Sequence, residues 1–256
     1  MSFASSIKIL ELSSQGSEEA FKISSATYIR LLQQLRGKSL FPQLKRLCIK
    51  DYHGLVDYLP LFLSSNLQTV QLLSTKSPTI PVTTASVMLR NLICDFSEWS
   101  QEIQHLHITQ GIAMPISLLD SISLLRNLRT LELSPIQVGC FREFRPLAPL
   151  ALESLTLELS CSSYICLPNP ITSLPEFLAL LEKLHISGSS IMITDFIRSL
   201  GTQHLTSLTV KDEVQAGEVQ ASEVKVSTGA LAPRYSQSKK KRSLPCPCKQ
   251  RMWTTE

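Results

Sequence analysis

His105 and His107 stand two residues apart in the stretch IQHLHI, and Glu132 holds the matching place in LRTLEL. Two imidazoles and a carboxylate are ligand types that zinc accepts. In an extended segment, residues two apart point to the same side. Side chains on a flat sheet face rarely converge on one point, however, and the sequence supplies no fourth ligand. The expected relation is a His107–Glu132 cross-strand pair, with no metal.

The other reactive residues offer less. The seven cysteines are scattered and include no C-x-x-C pair. Cys161 and Cys166 flank SSYI, and Cys246 and Cys248 are too close for a structural zinc knuckle. An odd, scattered set fits reduced thiols better than a disulfide framework. There is no G-x-S-x-G and no H-E-x-x-H. Glycine is scarce at nine residues, and neither glycine-rich phosphate loop occurs. The sequence therefore predicts no catalytic residue and no cofactor, and the chain reads as a non-enzyme.

The elements that carry these side chains follow one frame, L-x-x-L-x-L. It appears as IKILEL from Ile7, LKRLCI from Leu44, LQTVQL from Leu67 and IQHLHI from Ile103. LRTLEL from Leu128, LESLTL from Leu152, LEKLHI from Leu181 and LTSLTV from Leu205 complete eight copies. Their spacings are 37, 23, 36, 25, 24, 29 and 24 residues, mostly within or near the ~20–29 of leucine-rich repeats. The last two apolar residues of each frame share one side of a strand. The first enters the core from the turn ahead of it. One strand cannot bury that side alone, whereas stacked copies form a continuous aliphatic core. Aromatics make up only 6% of the chain, so such a core must be aliphatic.

Between the frames, ATYIRLLQQL (26–35), TTASVMLRNLICDF (83–96) and PISLLDSISLL (115–125) show helical spacing. Pro115 suits a first helical position. In ITDFIRSLG (193–201), Thr194 reads as N-cap and Gly201 as the stop. FREFRPLAPL (141–150) and LPNPITSLP (167–175) read as irregular or single-turn pieces. The expected fold is an α/β leucine-rich-repeat solenoid, a curved parallel sheet with helices on the convex side. Three residues after each frame stand Gln15, Tyr52, Thr75, Gly111, Ile136, Ser160, Ser189 and Glu213. No asparagine ladder exists there, so irregular repeats are expected.

The outward residues then form three rows. The first is Arg46, Thr69, His105, Thr130, Ser154, Lys183 and Ser207; the second is Glu11, Cys48, Gln71, His107, Glu132, Thr156, His185 and Thr209. The third is Ser13, Lys50, Leu73, Thr109, Ser134, Glu158, Ser187 and Lys211. Residues on a rigid exposed scaffold commonly carry binding. The candidate partner-binding set is Arg46, Lys50, Gln71, His105, His107, Glu132, Thr156, Glu158, Lys183 and His185.

Charge divides the chain. Residues 1–210 hold 16 Lys/Arg and 16 Asp/Glu, leaving the whole net charge of +4 to residues 211–256. A neutral body predicts no nucleic-acid binding by the repeats. No apolar run approaches the ~18 residues of a membrane helix, and the start is not a signal peptide. Residues 1–210 are read as the repeat domain and 211–256 as a disordered, low-complexity basic tail. Its run Lys239, Lys240, Lys241, Arg242 is a nuclear-import candidate. The expected location is cytoplasmic or nuclear, and the expected state is a monomer.

The phrases LFPQLKRLCI (40–49), LFLSSNLQTVQL (61–72), LLRNLRTLELS (124–134) and LALLEKLHISGSSI (180–191) resemble the leucine-rich-repeat portion of F-box proteins, especially fungal ones. The resemblance covers roughly residues 1–210. It implies repeats that hold a substrate protein while a separate F-box docks on Skp1 in a ubiquitin ligase. The first frame begins at Ile7, which leaves no room for an F-box ahead of it. SLPEFLALL, with Leu174, Pro175 and Glu176, falls between two frames. Skp1 is therefore expected as a partner only if an F-box is missing from this chain.

Overall fold

The structure, a computed structural model, describes residues 4–13, 24–36, 38–51, 59, 61–74, 82–138, 141–160, 178–200, 204–212 and 224–227. Each of the eight frames forms a strand. They are β1 (Ile9–Ser13), β2 (Arg46–Lys50), β3 (Thr69–Leu73), β4 (His105–Pro115), β5 (Thr130–Gln137), β6 (Ser154–Ser160), β7 (Lys183–Gly188) and β8 (Ser207–Asp212). They lie side by side in sequence order, and every neighbouring pair among the eight is parallel. A ninth strand, β9 (Val224–Ser227), adds antiparallel to β8.

Alternation sets the two faces. In β6, Leu155, Leu157 and Leu159 are buried, while Ser154, Thr156, Glu158 and Ser160 are half-exposed. The same pattern places Leu131 and Leu133 of β5, and Leu184 and Ile186 of β7, in one core. Burying a leucine is worth about 1.5–3 kcal/mol, so the frame residues dominate the stability of the stack.

The first frame residue is held by a recurring turn. The N–H groups of Leu44, Leu67, Ile103, Leu128 and Leu181 each donate to the carbonyl three residues earlier. All five side chains are buried. The residue after it makes the lateral tie. The Lys8 carbonyl accepts from both Lys45 and Arg46, and the Lys45 carbonyl from both Gln68 and Thr69. The pattern continues through Gln68, Gln104, Arg129, Glu153 and Glu182, so all seven joins between frames carry it. This backbone ladder ties repeat to repeat where an asparagine ladder is absent.

Helices α2 (Val82–Trp99), α3 (Leu118–Ile122) and α4 (Ser190–Ser199), with a 3-10 helix at Phe141–Leu147, cover the other side of the core. Helix α1 (Ser25–Leu35) leaves Ile29 and Leu32 exposed. Phe144 of the 3-10 helix meets Phe196 of α4 edge to face, with ring centres 5.2 Å apart. The sheet and its one-sided helices make an irregular α/β solenoid.

Three local expectations are corrected. Pro115 does not start a helix but ends β4, opposite Gln137. Met114 and Ile136 beside it are fully buried, and that burial extends the strand at the helix's expense. Thr194 is not an N-cap. Helix α4 starts five residues earlier than that reading, behind extended Ser189, and the Thr194 hydroxyl donates inside the helix to the Ser190 carbonyl at 2.7 Å. Its end falls at Leu200, and Gly201 lies outside the described residues. Finally, strand β8 reaches Asp212 and β9 occupies Val224–Ser227, within the stretch read as disordered. Pairing with the edge of β8 satisfies backbone groups that composition alone does not consider. The remainder of 213–256, including Lys239, Lys240, Lys241 and Arg242, lies outside the described residues, as do Leu174, Pro175 and Glu176.

Candidate interaction face

The strand register assembles the three outward rows. Arg46, Thr69, His105, Thr130, Ser154, Lys183 and Ser207 are successive lateral partners. So are Glu11, Cys48, Gln71, His107, Glu132, Thr156, His185 and Thr209. Of the third row, Ser13, Lys50 and Leu73 align at one end, and Glu158, Ser187 and Lys211 at the other. Leu73, Thr109 and Ser134 join them across the centre. All ten candidate residues therefore stand on one face, opposite the leucine core.

Polar ties cross this face between strands. The Glu11 carboxylate meets the Lys50 ammonium at 2.5 Å. This contact holds the Glu11 carboxyl below its usual range and the Lys50 ammonium above its own. Arg46 donates to Gln71 Oε1 at 3.1 Å. Between these pairs sits Cys48, only 7% exposed. Burial pushes its thiol up, so the reactive thiolate is disfavoured at neutral pH.

At the centre, His107 Nδ1 lies 3.5 Å from Glu132 Oε2, and its Nε2 shares a 2.8 Å hydrogen bond with Thr109 Oγ1. Both ring nitrogens are thus engaged within the sheet face. Ser134 donates to Glu158 on the next strand. Among the described residues, no group of three or more His, Cys, Asp or Glu is arranged to hold a metal ion. The zinc possibility raised by His105, His107 and Glu132 thus becomes a lateral pair and a separate, exposed His105.

The centre also holds a feature that the frame does not announce. Between Thr109↔Ser134 and Met114↔Ile136, residues 110–113 of β4 face only Pro135 of β5. A second shift sets Ser134 and Pro135 of β5 against Glu158 of β6. Such bulges break the grid and re-aim neighbouring side chains. Gly111 and Pro135 were the available sequence signals, since both residues weaken a regular strand.

Serine and asparagine tie the turns behind this face. Ser64 and Asn66 both donate to the Pro42 carbonyl, at 3.0 and 2.8 Å. Ser100 donates to Ser64 O at 2.9 Å, and Asn127 to Gln101 O at 2.9 Å. These side chains precede the strands, whereas an asparagine ladder would follow them.

Neither a protein-family model nor a curated protein matches the chain. Among solved structures, it is similar to an internalin from Listeria monocytogenes. The two are 16% identical, with a TM-score of 0.28, over 68% of this chain. The match spans 64% of the internalin chain, less than two thirds of its length.

No helix among the described residues is long and apolar enough to cross a membrane. Cys48 and Cys94 are free thiols.

Proposed function

We propose that the chain is a non-enzymatic protein-interaction module that binds its partner on the open face of β2 to β8. The carrying observation is the register. It fixes polar side chains in rows on one face while the alternate residues build the core. A rigid grid of short polar groups suits recognition of another protein surface, because little side-chain freedom is lost on binding.

A photo-crosslinking residue placed at Gln71 or Thr156 tests this, with Arg90 on helix α2 as the control site. The expected outcome is a discrete protein adduct from the face positions and none from Arg90. Adducts only from Arg90 would overturn the reading.

The resemblance to F-box-protein repeats extends the proposal to holding a substrate for ubiquitin ligation. That extension is supported by the phrasing of the repeats alone. The chain by itself is expected not to bind Skp1 directly. A tight direct complex in purified form would overturn that expectation and place an F-box within these residues. The run Lys239 to Arg242 supports the second reading, a nuclear repeat scaffold unconnected to ubiquitin. Deleting 239–242 should then shift the protein to the cytoplasm, and unchanged localisation removes that reading.

A further inference from the structure

The charged groups of the open face are not partnered evenly. On β1 to β6, Glu11 pairs with Lys50, Arg46 with Gln71, His107 with Glu132, and Ser134 with Glu158. On β7 and β8, the face carries Lys183, His185 and Lys211. None of these three side chains has a hydrogen bond or ion pair among the described residues. The row positions around them are Ser154, Thr156, Ser187, Ser207 and Thr209, all uncharged. The nearest acid in the rows, Glu158, already accepts from Ser134. Both lysines are exposed.

The geometry points to a docking site for an extended acidic peptide segment across β7 and β8. This rests on the open face being the binding surface and names the chemistry of its partner. Lys183 lies in the first row and Lys211 in the third, one strand over. Four residues at about 3.3 Å each, and one strand step of about 4.8 Å, put their Cα atoms about 14 Å apart. In an extended peptide, residues i and i+4 point to the same side and span about 13–14 Å. A Glu-x-x-x-Glu segment can therefore offer one carboxylate to each lysine, with His185 between them. The hydroxyls of Thr156, Ser187 and Thr209 provide donors along the way. A nucleic acid is the weaker occupant, since phosphate-led binding draws on many cationic contacts. The body as a whole is neutral.

The test uses the full chain and fluorescence anisotropy. The probes are a labelled Glu-Ser-Gly-Ser-Glu peptide, its Gln-Ser-Gly-Ser-Gln counterpart, and a single-stranded oligonucleotide. Binding of the acidic probe alone is expected, falling at least 10-fold in the K183E/K211E double variant. Arg90→Glu, on helix α2 away from this face, should change affinity less than 2-fold. Circular dichroism and melting of each variant check that it folds. The proposal is overturned if the double variant binds the acidic probe unchanged, if Arg90→Glu does equal damage, or if the oligonucleotide binds better. It also falls if no acidic probe binds. In that case, partner adducts at Gln71 and Thr156 would leave the interaction face itself standing, whereas their absence would remove both.

Discussion

Asp95 shows how a single side chain works against its fold. It lies half-buried near the C-terminal end of α2, where burial raises its carboxyl above the usual range and Glu98 adds to the effect. The partial negative charge of a helix C-terminus also disfavours an anion there. A raised folded-state value means that the ionised form is penalised in the native chain. The penalty is therefore present at neutral pH and disappears as pH falls below the ordinary Asp value of about 3.9. Asp95→Asn should raise the melting temperature at pH 7 and lose that advantage near pH 3.5; an equal gain at both pH values would contradict this origin. Gly188 is constrained differently. It ends β7 with φ +145°, and a Cβ placed there would come within 2.9 Å of the Leu159 carbonyl oxygen. Gly188→Ala combines a backbone strain of about 1–3 kcal/mol with a clash against a neighbouring strand. Chemical denaturation should show a loss in that range or above, and an unchanged midpoint would refute the constraint.

Among the elements, the strands were the legible part. Period-2 alternation and the fixed frame together determine which residue faces which side, and a slip of one residue would turn every leucine outward. That is why Arg46, His105 and Lys183 fall in one row, as the frame implies. Helix ends were less legible, because their limits depend on what the neighbouring strand gains. Ile136 drew Met114 and Pro115 into β4, and no pattern within 115–125 reveals that competition. The carbonyl ladder was not legible at all, since any residue supplies a carbonyl. The unpartnered state of Lys183 and Lys211 was equally hidden, because it depends on where carboxylates on other strands turn. The energetic weight of the frame is testable at β6. Leu155 is fully buried between the cores of β5 and β7. Leu155→Ala should cost about 2–5 kcal/mol, whereas Thr156→Ala, one residue away on the open face, should stay within about 0.5 kcal/mol. Similar losses at both positions would contradict the assignment of faces.

For the whole molecule, the two sheet ends differ. At one end β1 has no outer neighbour strand among the described residues, with Ile9 66% exposed and Leu10 and Leu12 only half-buried. At the other, β9 covers the edge of β8 by antiparallel pairing. An uncovered strand edge invites pairing with other chains. Removing residues 213–256 should therefore lower the melting temperature and increase light scattering at high concentration. A truncated chain that melts and scatters like the full one would show that β9 does not protect the edge.

The order of the strands has a mechanical consequence. Every strand bonds only to the strands before and after it in the chain. Tension applied at the two termini therefore loads the outermost repeats first, while behind the sheet the Phe144–Phe196 contact reaches across one repeat. Under load such a chain lengthens in small, separate steps of about one repeat each. A tethered protein of this design could yield gradually at its ends while its bulged centre still held its shape.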